Sequence, residues 1–192
     1  MTPHERLVEM LATRSARLGS FVLASGQRSE LYIDARLTTM SPDGMATIGP
    51  LALAALREAS WRADAVGGLT MGADPVSYAI AYASALAGTP LRAFTVRKEA
   101  KAHGAGKLIE GPFRAGDRVV IVEDTITTGG SALRAVGAVR AAGGEVLGVL
   151  AVVDREEGGR AALNAAGVAV VALTRAAEIV KLMQIPPSVV SR

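Results

Sequence analysis

Two adjacent carboxylates, Glu123 and Asp124, stand between four apolar residues and a threonine–glycine turn in "VVIVEDTITTGGSALRAVG", Val119 to Gly137. The apolar run reads as a buried strand. The turn, followed by small residues that open a helix, reads as a cradle for an anion. Backbone N–H groups at a helix start lack partners, and the helix dipole adds partial positive charge there. Thr125, Ile126, Thr127, Thr128, Gly129, Gly130 and Ser131 supply the amides and hydroxyls. The segment has neither the G-x-x-x-x-G-K-[ST] of a P-loop nor the G-x-G-x-x-G of a dinucleotide fold, and it suits a phosphate monoester. Two acids in front of that cradle would repel a bare phosphate; they suit a ligand that also offers vicinal hydroxyls. Successive strand residues face opposite ways, so adjacent carboxylates fit a strand's exit better than its buried middle.

A second cluster lies in "VRKEAKAHGAGKLIEG", Val96 to Gly111, where Arg97, Lys98, Lys101 and His103 place four potential cations within seven residues among several glycines. Such a segment can fold over a diphosphate, exclude water and reopen to release product. Composition alone describes a solvated basic loop as well.

These residues need a scaffold, and the chain's rhythm predicts one. After Pro3, Leu7, Val8, Met10 and Leu11 recur at helical spacing,. "GSFVLASGQRSELYIDARL" alternates short apolar runs around a Ser-Gly turn, as a hairpin does. A helix is expected from about Ser41, opened by "SPDG", to about Ala59. From Ala63 the pattern becomes strand–helix alternation: "ADAVGGL" as a strand ending in glycine, then a helix capped by Asp74 and leaving at Gly88. "PLRAFTVR", "RVVIVED", "EVLGVLAVVD" and "VAVVALT" are further strands, with helices between and after them. Near-continuous apolar strands alternating with helices imply an α/β fold with a mostly parallel sheet covered on both faces. Residues 1–60 depart from that pattern and are expected to form a small N-terminal subdomain over a core of residues 61–192, in one integrated domain.

Composition limits the alternatives. The 192 residues suffice for one α/β domain with a sizeable core,. There is no cysteine, which excludes disulfides and thiolate metal sites,. The formal charge of +3 admits phosphorylated ligands, but no basic patch interleaved with aromatics points to nucleic acid,. Neither a signal-type apolar segment nor a membrane-spanning run is seen, so a cytoplasmic location is expected.

"VVIVEDTITTGGSA" resembles the phosphoribosyl diphosphate (PRPP) signature of type I phosphoribosyltransferases: four apolar residues, an acidic pair, then a Thr/Gly loop. The resemblance implies that fold, with Glu123 and Asp124 on the ribose hydroxyls and the loop on the 5-phosphate. "RKEAKAHG" is similar to the mobile catalytic loop of orotate phosphoribosyltransferases. It implies Arg97, Lys98, Lys101 and His103 on the diphosphate, Lys101 foremost in catalysis, and a homodimer in which each loop reaches the neighbouring subunit's site. "FVLASGQRSELYIDAR" resembles that family's N-terminal hairpin hood over the base, and "VVDREEGGR" its Asp-Arg turn, whose arginine, here Arg155, contacts the base carboxylate. A guanidinium's planar fork suits a planar anion such as orotate. Thr128 is implied as a second contact to orotate.

Two positions depart from relatives: Ala24 stands where some have lysine before the Ser-Gly turn, and Met71 and Gly72 stand where some have Tyr-Lys. Contacts made there are expected from backbone amides of Thr70 to Ala73, with Thr70, Met71 and Gly72 on the PRPP side, or from Arg28 on the orotate side. The implied activity is Mg²⁺-dependent transfer of 5-phosphoribosyl from PRPP to orotate, giving orotidine 5′-monophosphate and diphosphate in pyrimidine biosynthesis. Mg²⁺ would be held mainly through PRPP. The catalytic residues are expected to be Lys101, Asp124 and His103. Two rivals share the PRPP turn. A purine phosphoribosyltransferase is disfavoured by the hairpin, the loop order and Arg155. A PRPP-binding regulator is disfavoured by the lysine-bearing loop and by the lack of a DNA-binding pattern in the first 60 residues.

Overall fold

The computed structural model of the chain describes residues 1–22, 28–99 and 107–184. Helix α1 (Pro3–Met10) begins with a reciprocal cap: the Thr2 hydroxyl accepts from Glu5 N, and the Glu5 carboxylate accepts from Thr2 N,. It runs on through a π-helical turn, Leu11–Ser15, into β1 (Ala16–Val22), which pairs antiparallel with β2 (Arg28–Ile33). The expected hairpin is therefore present; its Ser-Gly turn and Ala24 lie outside the described residues. A short helix α2 (Arg36–Thr39) leads to α3 (Pro42–Glu58), capped by the Ser41 hydroxyl and tied to the π-helical turn by a two-bond Arg14–Asp43 pair.

Six strands form the main sheet: β3 (Ala65–Leu69), β4 (Arg92–Val96), β5 (Ile109–Glu110), β6 (Arg118–Ile126), β7 (Glu145–Asp154) and β8 (Val170–Arg175). Their order is β5-β4-β3-β6-β7-β8, parallel throughout except for β5, which pairs antiparallel with β4. The two-residue β5 falls in the segment whose sequence shows no sustained periodicity, and two residues are too few to display one. Helices α4 (Ala73–Leu86), α5 (Gly130–Ala141), α6 (Gly159–Ala165) and α7 (Ala176–Met183) complete the fold.

Alternation along each strand sorts the core into two layers. On β6, Val120 and Val122 join a cluster with Leu7, Leu11, Ile48, Leu53 and Ile179, while Val119 and Ile121 face Phe94, Val136, Val149 and Leu163. The N-terminal helices thus bury their apolar stripes in the same cluster as one sheet face. Each fully buried Leu, Ile or Val contributes about 1.5–3 kcal/mol of transfer free energy, an upper estimate given a compact unfolded state.

Two details differ from the sequence reading. The glycines of "AVGGL" lie inside β3, and the strand continues to Leu69. A Cβ at Gly67 would come 2.2 Å from Phe94 O, and one at Gly68 would come 2.2 Å from Val122 O, so close packing selects glycine there rather than a strand end. Asp74 is not the cap of α4; Gly72 is. The Asp74 carboxylate instead accepts from the Thr70 and Thr95 hydroxyls at 2.7 and 2.8 Å, bracing the turn between β3 and α4.

Candidate active site

The chain leaves β3 toward β4 on one side and returns to β6 on the other, so β3 and β6 flank the point where strand order reverses. Crevices at the carboxyl ends of strands open at such points. A cavity of about 390 Å³ occupies this one. Its floor is the end of β6, with Glu123, Asp124 and Thr125. One wall is the turn Thr70–Gly72 after β3, another is Tyr32 to Arg36 at the end of β2 and just beyond it, and Lys98 and Arg155 close the sides. A smaller cavity of about 210 Å³ adjoins it, lined by Glu123 and by Thr125 through Ala132.

The smaller cavity is the anion cradle. Gly129 adopts φ 82° and ψ 0° and caps α5 with no side chain on its amides. That backbone conformation favours glycine, and it aims the first N–H groups of α5 outward with their dipole. A Cβ at Gly130 would meet only the Thr128 Oγ1, at 3.9 Å. Gly159 seats the turn from behind, its N–H donating to Thr127 O at 2.9 Å, in a gap where a Cβ would meet Ile126 Cγ2 at 2.4 Å.

The acidic pair is differentiated by its surroundings. β6 extends to Ile126, so the carboxylates lie in its last four residues rather than past its end. Glu123 is only 5% exposed, and its Oε1 has no partner among the described residues. Burial, and then the neighbouring Asp124, push its carboxyl up to about 8. Asp124 is raised too, first by burial, but Thr125 N donates to its Oδ1 at 2.8 Å and the Arg36 charge opposes the shift. The Thr125 hydroxyl is a second buried group without a partner among the described residues. Unmet polar groups at a cavity floor are acceptors and donors in wait for a ligand.

Arg155 follows the last residue of β7, and its side chain is 5% exposed. Its Nη2 donates to Ser29 Oγ at 3.1 Å and Leu31 O at 2.9 Å on the hairpin, and to Glu157 Oε1. Its buried Nε has no partner among the described residues.

Of the residues singled out in the sequence, Thr70, Met71, Gly72, Lys98, Glu123, Asp124, Thr125, Thr127, Ser131 and Arg155 line the larger cavity, and Ile126, Thr128, Gly129 and Gly130 the smaller. Arg97 lies outside both, bonded to Glu99 O at 3.3 Å and Glu110 Oε1 at 3.5 Å. Arg28 opens β2, exposed, and lines neither cavity. Lys101 and His103 lie outside the described residues. Sequence reasoning missed Asp34 and Arg36. They pair through two bonds of 2.8 and 3.0 Å at the cavity rim. An acidic and a basic residue two apart, directly after a strand, was the available signal.

A cradle for phosphate beside acids for hydroxyls fits a sugar phosphate, and on a parallel sheet of this order it defines the type I phosphoribosyltransferase class. No protein-family model matches the chain. Orotate phosphoribosyltransferase of Aquifex aeolicus is 43% identical over 182 residues, covering 93% of this chain and 98% of that protein. That of Mycobacterium avium is 48% identical over 165 residues, 85% and 88% of the two. The crystal structure of Mycobacterium tuberculosis orotate phosphoribosyltransferase in complex with PRPP superposes with a TM-score of 0.78 at 40% identity, covering 93% and 99%. The chain belongs to the orotate phosphoribosyltransferase family.

Proposed function

We propose that the protein transfers the 5-phosphoribosyl group of PRPP to N1 of orotate, giving orotidine 5′-monophosphate and diphosphate in pyrimidine biosynthesis. The observation that carries this is the joining of three features in one crevice: the amide cradle at Gly129–Ser131, the buried pair Glu123 and Asp124, and the buried guanidinium of Arg155. A phosphate, a ribose and an anionic base can occupy them in that order.

In this reading the Thr/Gly turn holds the 5-phosphate, and Glu123 and Asp124 accept from the ribose hydroxyls. As the C1–diphosphate bond breaks, positive charge develops on the sugar and negative charge on the leaving group, and stabilising both at once is the catalytic problem. Glu123 and Asp124 lie beside that developing positive charge, which favours their ionised forms. Orotate is already an anion and needs no strong base. Lys98, Lys101 and His103 take the diphosphate, with Arg97 at the loop's stem and Thr70, Met71 and Gly72 offering backbone amides. His103 serves as a donor or acid to the leaving group. Arg155 and Thr128 hold orotate, with Arg28 at the hairpin's edge.

No cluster of three or more acidic or histidine side chains that could cage a metal occurs among the described residues. Glu123 and Asp124 nonetheless fit a Mg²⁺ held mainly by the oxygens of PRPP, since two neighbouring carboxyls and an unpartnered Oε1 favour a hard cation. A Mg²⁺ held there would supply positive charge to the leaving diphosphate. We assign residues 1–60 to a hood over the base side and residues 61–192 to the PRPP-binding core, in a cytoplasmic homodimer with shared sites. Among the described residues no helix is long and apolar enough to cross a membrane.

The test is a spectrophotometric assay with orotate, PRPP and Mg²⁺. Disappearance of orotate with release of diphosphate supports the reading; turnover of adenine or hypoxanthine with none of orotate overturns it.

A further inference from the structure

The Nη2 of Arg155 faces more acceptors than it has hydrogens. Two N–H bonds serve Ser29 Oγ, Leu31 O and Glu157 Oε1, and Ser29 Oγ itself donates to Leu31 O at 2.8 Å. Ser29 and Leu31 belong to the hairpin, while Arg155 and Glu157 belong to the loop after β7. The arginine is thus fastened at one nitrogen to two separate parts of the fold, and its buried Nε has no partner among the described residues. A planar group fixed at one corner has its Nη1 and Nε donors held in a set plane, where each can give a single charge-assisted hydrogen bond to a carboxylate oxygen.

We propose that Glu157 and Ser29 are positioning residues for base recognition: they clamp Nη2 so that the rest of the Arg155 guanidinium is presented to the carboxylate of the base. This rests on the orotate reading above. Glu157 supplies a charged acceptor from a side chain one-third exposed, so it holds the arginine without itself being sealed in the cavity. Ser29 relays the position of the hairpin. Loss of either clamp leaves Nη2 with fewer acceptors and lets the guanidinium turn out of its plane, which weakens capture of the base and leaves the PRPP half of the site intact.

Steady-state kinetics of Glu157→Ala, Glu157→Gln and Ser29→Ala test this. The expected result for Glu157→Ala is a rise of about ten-fold in KM for orotate, the scale of one charge-assisted hydrogen bond. The kcat should stay within about two-fold and KM for PRPP should not change. Glu157→Gln, which keeps a neutral acceptor, should recover part of the loss, and Ser29→Ala should show a smaller rise of the same kind. An unchanged KM for orotate in Glu157→Ala, or a rise matched by KM for PRPP, overturns the proposal while the activity stands. Absence of orotate turnover by the unmodified protein overturns both.

Discussion

Gly72 and Asp124 are in mutual contact: a Cβ on Gly72 would lie 2.5 Å from Asp124 Oδ1. The turn after β3 and the end of β6 therefore meet at the site with no room for a side chain at residue 72. Gly72→Ala must push Asp124 or the turn aside, and displacements of about 1 Å in an active site can cost about 100-fold in rate. The expected outcome is a loss of kcat/KM for PRPP of about that size with little change in Tm. Unchanged kinetics would show that Asp124 tolerates the shift.

Lys101 is the residue on which the proposed loop chemistry depends. Lys101→Ala is expected to lower kcat by about 100-fold or more, as loss of one stabilising donor does, with normal circular dichroism and Tm. Mixing it with Asp124→Ala should restore part of the activity if a loop from one protomer completes the site of its partner. Confirmed mixed dimers with no recovery would refute sharing.

Glu123 predicts a pH dependence of stability. Its folded value is about 8 against an ordinary 4.5. Across that window the folded protein keeps a proton that the unfolded chain has released, so stability falls as pH rises. Below about 4.5 the penalty is absent, and above about 8 it is constant. Glu123→Gln carries no such penalty and should be more stable than the parent at pH 8 by on the order of 4 kcal/mol, with the difference vanishing near pH 4. Denaturant titrations of the ligand-free proteins at both pH values measure it.

Gly68 bears on the scaffold rather than the chemistry. Its Cβ would meet Val122 O at 2.2 Å and the Ala73 Cβ at 2.7 Å. Backbone on one side and a helix start on the other leave neither free to yield. Gly68→Ala is expected to cost about 2–4 kcal/mol, at the upper end for overpacking in a tight core. Chemical denaturation with an unchanged m-value reads it directly.

Much of the site was legible because its parts are local. The acids, the Thr/Gly turn and the α5 start are contiguous, so a strand-to-helix transition alone brings them together. The hairpin and the alternating strands were equally legible from periodicity. Asp34 and Arg36 were missed because an acid–base pair after a strand reads as solvated surface until the strand is known to end at a cavity. Asp74 was misread as a cap because its partners, Thr70 and Thr95, are set by the turn and by the pairing of β3 with β4.

The sequence by itself determined the elements and the chemistry of each segment, since local hydrogen bonding and side-chain period depend on neighbours along the chain. Only the tertiary structure decided which segments meet. Strand order put the β3 turn beside β6, burial left Glu123 Oε1 without a partner among the described residues and raised the carboxyl, and the hairpin came to rest on Arg155, 126 residues from Ser29. Desolvation and long-range hydrogen bonding arise from the packed arrangement, and no residue carries them before the chain has folded.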